Sequence, residues 1–269
     1  MSIFSIESKR IVITGGSGVL GKEAVNYLLE NGAKVCVINR TPEKLKKLLM
    51  HWSEKGDVLG FSGDVLDEDF LLSVKKELKE KWGGIDVLIN AAGGNKPGAV
   101  IQPDSSFFDA SISDLREVFD LNLMGTLLPT YVLADLFPEG SNSSIINYSS
   151  MAADRAITRV LGYSMAKGSV DIFTKWLAVE FAKKYGEKIR VNAIAPGFFL
   201  TEQNERLLTN EDGSLTSRGE TIIASTPYGR FGKPEELNGV VHYLSSDASR
   251  FVTGVIVPVD GGFSSFSGV

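Results

Sequence analysis

TGGSGVLG, residues 14–21, comes directly after the apolar run RIVIT at 10–14 and opens an amphipathic segment. It contains Gly16-x-Gly18-x-x-Gly21. Glycines suit such a turn because the chain bends tightly, its backbone must approach a pyrophosphate, and the following helix must pack close to the strand. The helix N-terminus would then offer free N–H groups and a partial positive charge to phosphates. In a chain with 28 glycines the pattern alone is weak, and its placement between strand and helix gives it weight. Thr14, Gly15, Gly16, Ser17, Gly18, Val19, Leu20 and Gly21 are therefore candidate contacts to a dinucleotide.

Outward from this turn, short β-rich runs alternate with long amphipathic segments. KVCVIN (34–39), VLGFS (58–62), DVLIN (86–90), SIINYS (144–149), IRVNAIA (189–195) and VIVPVD (255–260) are apolar at nearly every position. Strands of that kind are covered on both faces. The alternation predicts an α/β fold of the Rossmann type, a doubly wound parallel sheet of about seven strands with helices on both faces. Thr41-Pro42 reads as an N-cap and first helical residue, and Lys233-Pro234-Glu235-Glu236 as the start of the last long helix. No linker or change of composition divides residues 1–269, so a single domain is expected. One stretch, 196–232, interrupts the rhythm with about thirty-five mostly polar residues where a strand should pass directly to a helix, and it reads as a substrate lid.

Composition narrows the class of function. Hydrophobic residues make up 43% and charged residues 23%, ordinary for a folded globular chain. A net charge of -5 and a pI near 5.3 give no electrostatic reason to expect nucleic acid or an anionic membrane. Cys36, the single cysteine, excludes an internal disulfide and reads as a buried thiol in a reducing cytoplasm. Two well-separated histidines, His51 and His242, disfavour a metal centre. The sequence shows no signal peptide and no membrane span. Sequons at Asn142 and Asn147 are taken as accidental.

The second strand ends at Asn39-Arg40, where a carboxylate would bind the ribose hydroxyls of NAD. Asparagine removes the charge that would repel a 2′-phosphate, and arginine can pair with that phosphate, so NADP(H) is favoured with NAD(H) as the alternative. Farther along, Tyr163 and Lys167 are four apart and lie on one face of a helix. With 7 tyrosines in a lysine-rich chain such a pair is a near-even chance event. If real, the ammonium and an oxidised nicotinamide would lower the tyrosine from about 10 towards neutrality, roughly 4 kcal/mol.

In this order of motifs the chain resembles the short-chain dehydrogenase/reductase family over nearly its whole length. The resemblance rests on the glycine turn, Gly63-Asp64-Val65, Asn90-Ala91-Ala92-Gly93, Asn122, Ser150, Tyr163/Lys167, Pro196-Gly197 with Thr201, and Val259-Asp260-Gly261-Gly262. It implies Tyr163 as acid/base assisted by Lys167, Ser150 rather than Ser149 on the substrate oxygen, and Asn122 positioning a water in a proton relay. It also implies Asp64 at the adenine, Asn90 beside its ribose and Thr201 on the nicotinamide carboxamide, with Val65, Ala91, Ala92, Pro196, Gly197 and Phe199 as further cofactor contacts. Where this family usually has glycine the chain has Val19, with Gly18 one position early, so phosphate contacts are expected to shift.

AAGGNKP (91–97), FFLTEQNERLL (198–208), RFGKPEEL (230–237) and PVDGGFSSFSGV (258–269) further resemble the subgroup of D-mannonate oxidoreductases, or fructuronate reductases. That implies an anionic, hydroxyl-rich sugar acid as substrate. Asn95, Lys96, Arg155 and Arg159, with Ser150, are the candidates to bind it. A sugar, polyol or gluconate dehydrogenase is the alternative within the family, and a non-catalytic dinucleotide sensor the alternative outside it. The resemblance also implies a homo-oligomer, tetramer or dimer.

Overall fold

The computed structural model describes residues 2–201 and 204–269. Seven parallel strands form one sheet in the order β3-β2-β1-β4-β5-β6-β7. They are β1 (Arg10–Thr14), β2 (Lys34–Asn39), β3 (Val58–Ser62), β4 (Val87–Asn90), β5 (Ser143–Tyr148), β6 (Ile189–Pro196) and β7 (Ile256–Val259). Each coincides, within a residue or two at its ends, with a run read from the sequence. The order reverses beside β1, between β1 and β4, where such sheets open a crevice at the carboxyl ends of their strands.

Alternate residues of each strand feed two cores. Ile11 and Ile13 of β1, with Val35, Val37, Val87 and Ile89, pack under α1 (Val19–Glu30), α2 (Pro42–Trp52) and the late helix α8 (Asn238–Ser245). Val12, Cys36, Ile38, Leu88 and Ile145 face α3 (Glu68–Trp82), α4 (Ile112–Leu133) and α5 (Leu161–Tyr185) on the other side. Helices therefore cover both faces, as the uninterrupted apolar runs require. Cys36 is wholly buried and its thiol is pushed up by that burial, which keeps it inert. Asn147, the second sequon, is buried within the sheet, so its amide is inaccessible to modification.

Two local expectations change. Pro42 does start α2, but Thr41 makes no capping bond with its side chain. Pro234 opens a 3₁₀ turn, Pro234–Leu237, and the α-helix begins only at Asn238. Glu236 explains the tighter turn: its carboxylate accepts from the Lys233 N–H at 2.8 Å and pairs with Arg230, which holds its pKa down to about 2. The 196–232 stretch is not structureless, since it carries α6 (Glu205–Leu208) and α7 (Ser217–Ala224). Its base is tied down by a bridge between Phe199 and Gly232 and by the Tyr228 N–H donating to the Gly261 carbonyl at 3.1 Å. No described helix is long and apolar enough to cross a membrane.

Candidate active site

At the carboxyl ends of β1, β4, β5 and β6 lies a cavity of about 470 Å³. Its wall gathers the β1–α1 turn, the end of β2, Asp64, Ala91, Ser150, Tyr163, Lys167 and the start of the insertion.

The β1–α1 turn is built by glycine: Gly16 and Gly21 of the motif leave no space for a Cβ, and Gly15, just before the motif, is held to glycine as well. Gly15 has φ +69°, and a Cβ there would meet the Ala91 carbonyl oxygen at 2.7 Å. A Cβ on Gly21 would lie 2.6 Å from the Gly15 oxygen. Gly18 is extended (φ -68°, ψ 165°), and its added Cβ would meet the Gly15 oxygen at 3.3 Å, a tight contact but a milder one than at its neighbours. Gly16 points into the packing between strand and helix and does not line the cavity. The tight turn thus falls on Gly15, one residue earlier than Gly16-x-Gly18 suggests. Ser17, Gly18, Val19, Leu20 and Gly21 all line the cavity. Thr14 does not, because its hydroxyl is buried and accepts from the Ala91 and Ala92 N–H groups at 3.2 and 3.1 Å. It fastens β4's end to β1.

A nicotinamide dinucleotide suits these residues chemically. The N-terminus of α1 has no side-chain cap and no acidic residue in its first turn, so its N–H groups and dipole are open to a pyrophosphate. Farther out, Asn39, Arg40 and Thr41 line the wall together with Lys44, which the sequence reading passed over. Ser17 donates to Asn39 Oδ1 at 2.6 Å, which leaves the Asn39 NH₂ free to donate to a ligand.

Tyr163 and Lys167 share a face near the start of α5, with the Lys167 Nζ 5.6 Å from the phenol ring centre. Lys167 is buried and donates to the Tyr148 carbonyl at 2.6 Å. Burial lowers it to about 8, against a partial upward pull from Asp171. Tyr163 is raised above the ordinary phenol range by desolvation, with the Ser150 hydroxyl pulling partly the other way. The lowering expected from the lysine is therefore not what the protein alone imposes; burial outweighs it and holds Tyr163 as a neutral phenol. The two adjacent serines part company. Ser149 donates its hydroxyl to Asp171, whereas Ser150 lies beside Tyr163 and accepts from the Ala152 N–H at 3.1 Å.

Other predicted residues stand farther back. Asn122 is wholly buried in α4. Its amide donates to the Gly94 and Val118 carbonyls at 2.7 Å each and accepts from the Gly94 N–H at 3.1 Å. The side chain clamps the loop after β4, with both amide N–H groups used and one lone pair of its Oδ1 left for a further donor. Asn90 points into the sheet, donating to Thr130 at 2.8 Å and Asn147 at 2.9 Å, so its side chain does not reach the cavity. Asp64, Val65, Ala91, Ala92, Pro196, Gly197, Phe199 and Thr201 do line it. So does Asn204, whose carboxamide accepts from the Thr201 N–H and donates to the Phe199 carbonyl, shaping the start of the insertion. Glu202 and Gln203, within FFLTEQNERLL, lie outside the described residues.

None of the four cation or amide candidates for substrate lines this cavity. Asn95 is exposed and accepts from the Lys96 N–H at 2.9 Å. Lys96 pairs with Glu117. Arg155 donates to the Ser264 carbonyl and sits 3.5 Å from Asp154. Arg159 is half-buried at the turn before α5.

The family model described as enoyl-(acyl carrier protein) reductase matches residues 17–264. An oxidoreductase of Bacillus subtilis, UxuB, recorded as uncharacterised, is 43% identical over 98% of each chain. The gluconate 5-dehydrogenase of Gluconobacter oxydans is 30% identical over 97% of each. A crystal structure of a proposed D-mannonate oxidoreductase from Haemophilus influenza, with bound NAD, superposes with a TM-score of 0.92 at 38% identity, covering 100% of both chains. With the strand order, the glycine turn and the Ser150, Tyr163 and Lys167 wall in one cavity, these likenesses establish that the chain belongs to the short-chain dehydrogenase/reductase family of oxidoreductases.

Proposed function

We propose that this oxidoreductase reversibly reduces the ketone of a sugar acid of the D-fructuronate type to a secondary alcohol, with Tyr163 as the acid/base. The observation that carries the reading is the placement of Ser150, Tyr163 and Lys167 on the wall of the cavity that the β1–α1 glycine turn opens. A nicotinamide dinucleotide, when bound, supplies the hydride. Ser150 donates a hydrogen bond to the carbonyl oxygen and orients it. Tyr163, neutral because it is desolvated, gives its phenolic proton to that oxygen as charge develops there. Lys167, fixed by the Tyr148 carbonyl, holds a positive charge close to the phenol and stabilises the phenolate left behind. Asn122 acts at one remove, by holding Gly94 on the cavity wall.

The sugar-acid assignment draws support from the likeness to the proposed D-mannonate oxidoreductase. The gluconate 5-dehydrogenase favours a second reading, a dehydrogenase of a related aldonate with the same catalytic group. For the cofactor, Asn39, Arg40 and Lys44 supply donors and positive charge to a 2′-phosphate, which favours NADP(H). The NAD bound in the Haemophilus structure favours NAD(H) as the alternative. The 196–232 insertion, contributing Pro196, Gly197, Phe198, Phe199, Thr201 and Asn204 to the wall, is the lid. The chain works in the reducing cytoplasm as a homo-oligomer. Tyr131 on α4 with Met165, Ile172, Trp176 and Val179 along α5 are large exposed apolar side chains suited to burial against a second copy.

Steady-state turnover of D-fructuronate and D-tagaturonate against neutral ketoses, each with NADH and NADPH, tests the substrate and the cofactor. The uronates should give the higher kcat/KM, and NADPH the lower KM. Faster turnover of neutral ketoses would overturn the substrate assignment, and tighter NADH binding the cofactor preference.

A further inference from the structure

Arg218 has no counterpart in any motif of the sequence. It stands at the start of α7, within the insertion, and donates to the Thr158 hydroxyl at 3.5 Å. Thr158 is the neighbour of Arg159, so two arginines from segments about sixty residues apart in the chain come together here. Both are half-buried. Neither forms an ion pair with a carboxylate among the described residues. Burial, and then the Arg159 charge, push the Arg218 guanidinium below its ordinary range, as expected for two cations sharing a partly dry space.

The backbone presents Arg159 in an unusual way. It is one of two described non-glycine residues with positive φ, at +77°, a region that a Cβ disfavours. Its carbonyl accepts from the Ile101 N–H at 3.0 Å, which holds the strained turn against the loop that follows β4. Arg159 is four residues before Tyr163, so their Cα atoms can be no more than about 14 Å apart. Repelling, unpaired and partly desolvated guanidinium groups are relieved by an anion, and guanidinium forks match a carboxylate.

We infer that Arg159 and Arg218, which stand outside the cavity wall at the turn before α5, together form a clamp for the carboxylate of a polyhydroxy acid substrate. The inference rests on the sugar-acid reading above and sharpens it. Arg155, bound to the Ser264 carbonyl, is left out of the clamp. Because Arg218 is part of the insertion, the substrate's own carboxylate fastens the insertion over the cavity, and an uncharged ketose cannot.

Arg159→Gln and Arg218→Gln test the clamp. Each should lower kcat/KM for D-fructuronate by about 30-fold, through KM, as loss of a charge-assisted hydrogen bond does. The fall for D-fructose should stay within about threefold, and the Kd of NADPH should not move. Arg218→Lys should recover part of the loss by keeping the charge without the fork. Equal losses on both substrates, or none on either, would overturn the clamp. A second measurement separates the clamp from the assignment of D-fructuronate: titrating the NADPH complex with D-gluconate, which cannot be reduced there. If the uronates are not turned over, the substrate assignment fails, and the clamp then stands only if D-gluconate binds wild type and binds each Gln variant about tenfold or more weakly. Absence of D-gluconate binding to wild type would overturn it.

Discussion

Residues 14–21, at one end of the cavity, present backbone to it, whereas residues 150–167 and 197–204, at the other, present side chains. At the first, Gly15 and Gly21 bring main chain against main chain, and α1 supplies uncapped N–H groups. At the second, Tyr163, Lys167 and Ser150 present groups whose properties depend on what surrounds them. Backbone contact is selective for what every member of a cofactor class shares. Side-chain contact separates one substrate from another, because it can be changed one residue at a time without moving the sheet.

Tyr163→Phe probes the side-chain end hardest. It removes one oxygen, and kcat should fall by about 10³-fold or more, while the Kd of NADPH, read by fluorescence, changes little. Retained turnover would break the comparison by showing that Tyr163 carries no proton.

Lys167 gives the next largest effect, and it appears in stability. Burial lowers its pKa from 10.5 to about 8, so the unfolded chain binds more protons between those values. Stability from this group therefore rises with pH across that window, and burying its charge is most unfavourable below about pH 8, by about 3 kcal/mol. Relative to Lys167→Met, wild type should gain stability in urea unfolding between pH 8 and pH 10. A pH-independent difference would show that the ammonium is better solvated than its burial implies.

The smallest contrast lies within the glycine turn. Gly15→Val forces a Cβ onto the Ala91 carbonyl at a positive φ and should weaken NADPH binding by about 10- to 100-fold, the range of overpacking costs. Gly18→Ala should stay within a few-fold. Equal effects would restore the reading in which Gly18 is the close-approach residue.

Much of this was legible from sequence for a physical reason. A parallel strand buried on both faces is apolar at every position, so β2 and β3 could be bounded to the residue and the other strands to within one or two. The Tyr163/Lys167 pair was legible because i, i+4 spacing fixes a shared helix face. Local rules failed where a nearby side chain changed the outcome. Glu236 tightened the turn at Pro234, and, by main chain rather than side chain, the close approach of Ala91 makes Gly15 a further required glycine beside the motif. Asn90 looked like a ligand-facing polar residue, yet its side chain is a buried hydrogen-bonding partner within the scaffold.

The sequence by itself determined the strand periodicity, the phosphate-type turn after β1 and the shared helix face of Tyr163 and Lys167, because each depends on residues close together in the chain. Tertiary structure alone decided that Lys167 is held near pH 8, that Ser149 belongs to Asp171 and Ser150 to Tyr163, and that Arg218 reaches the turn of Arg159. Those properties come from desolvation and from contacts between segments far apart in sequence, and no window of residues contains them.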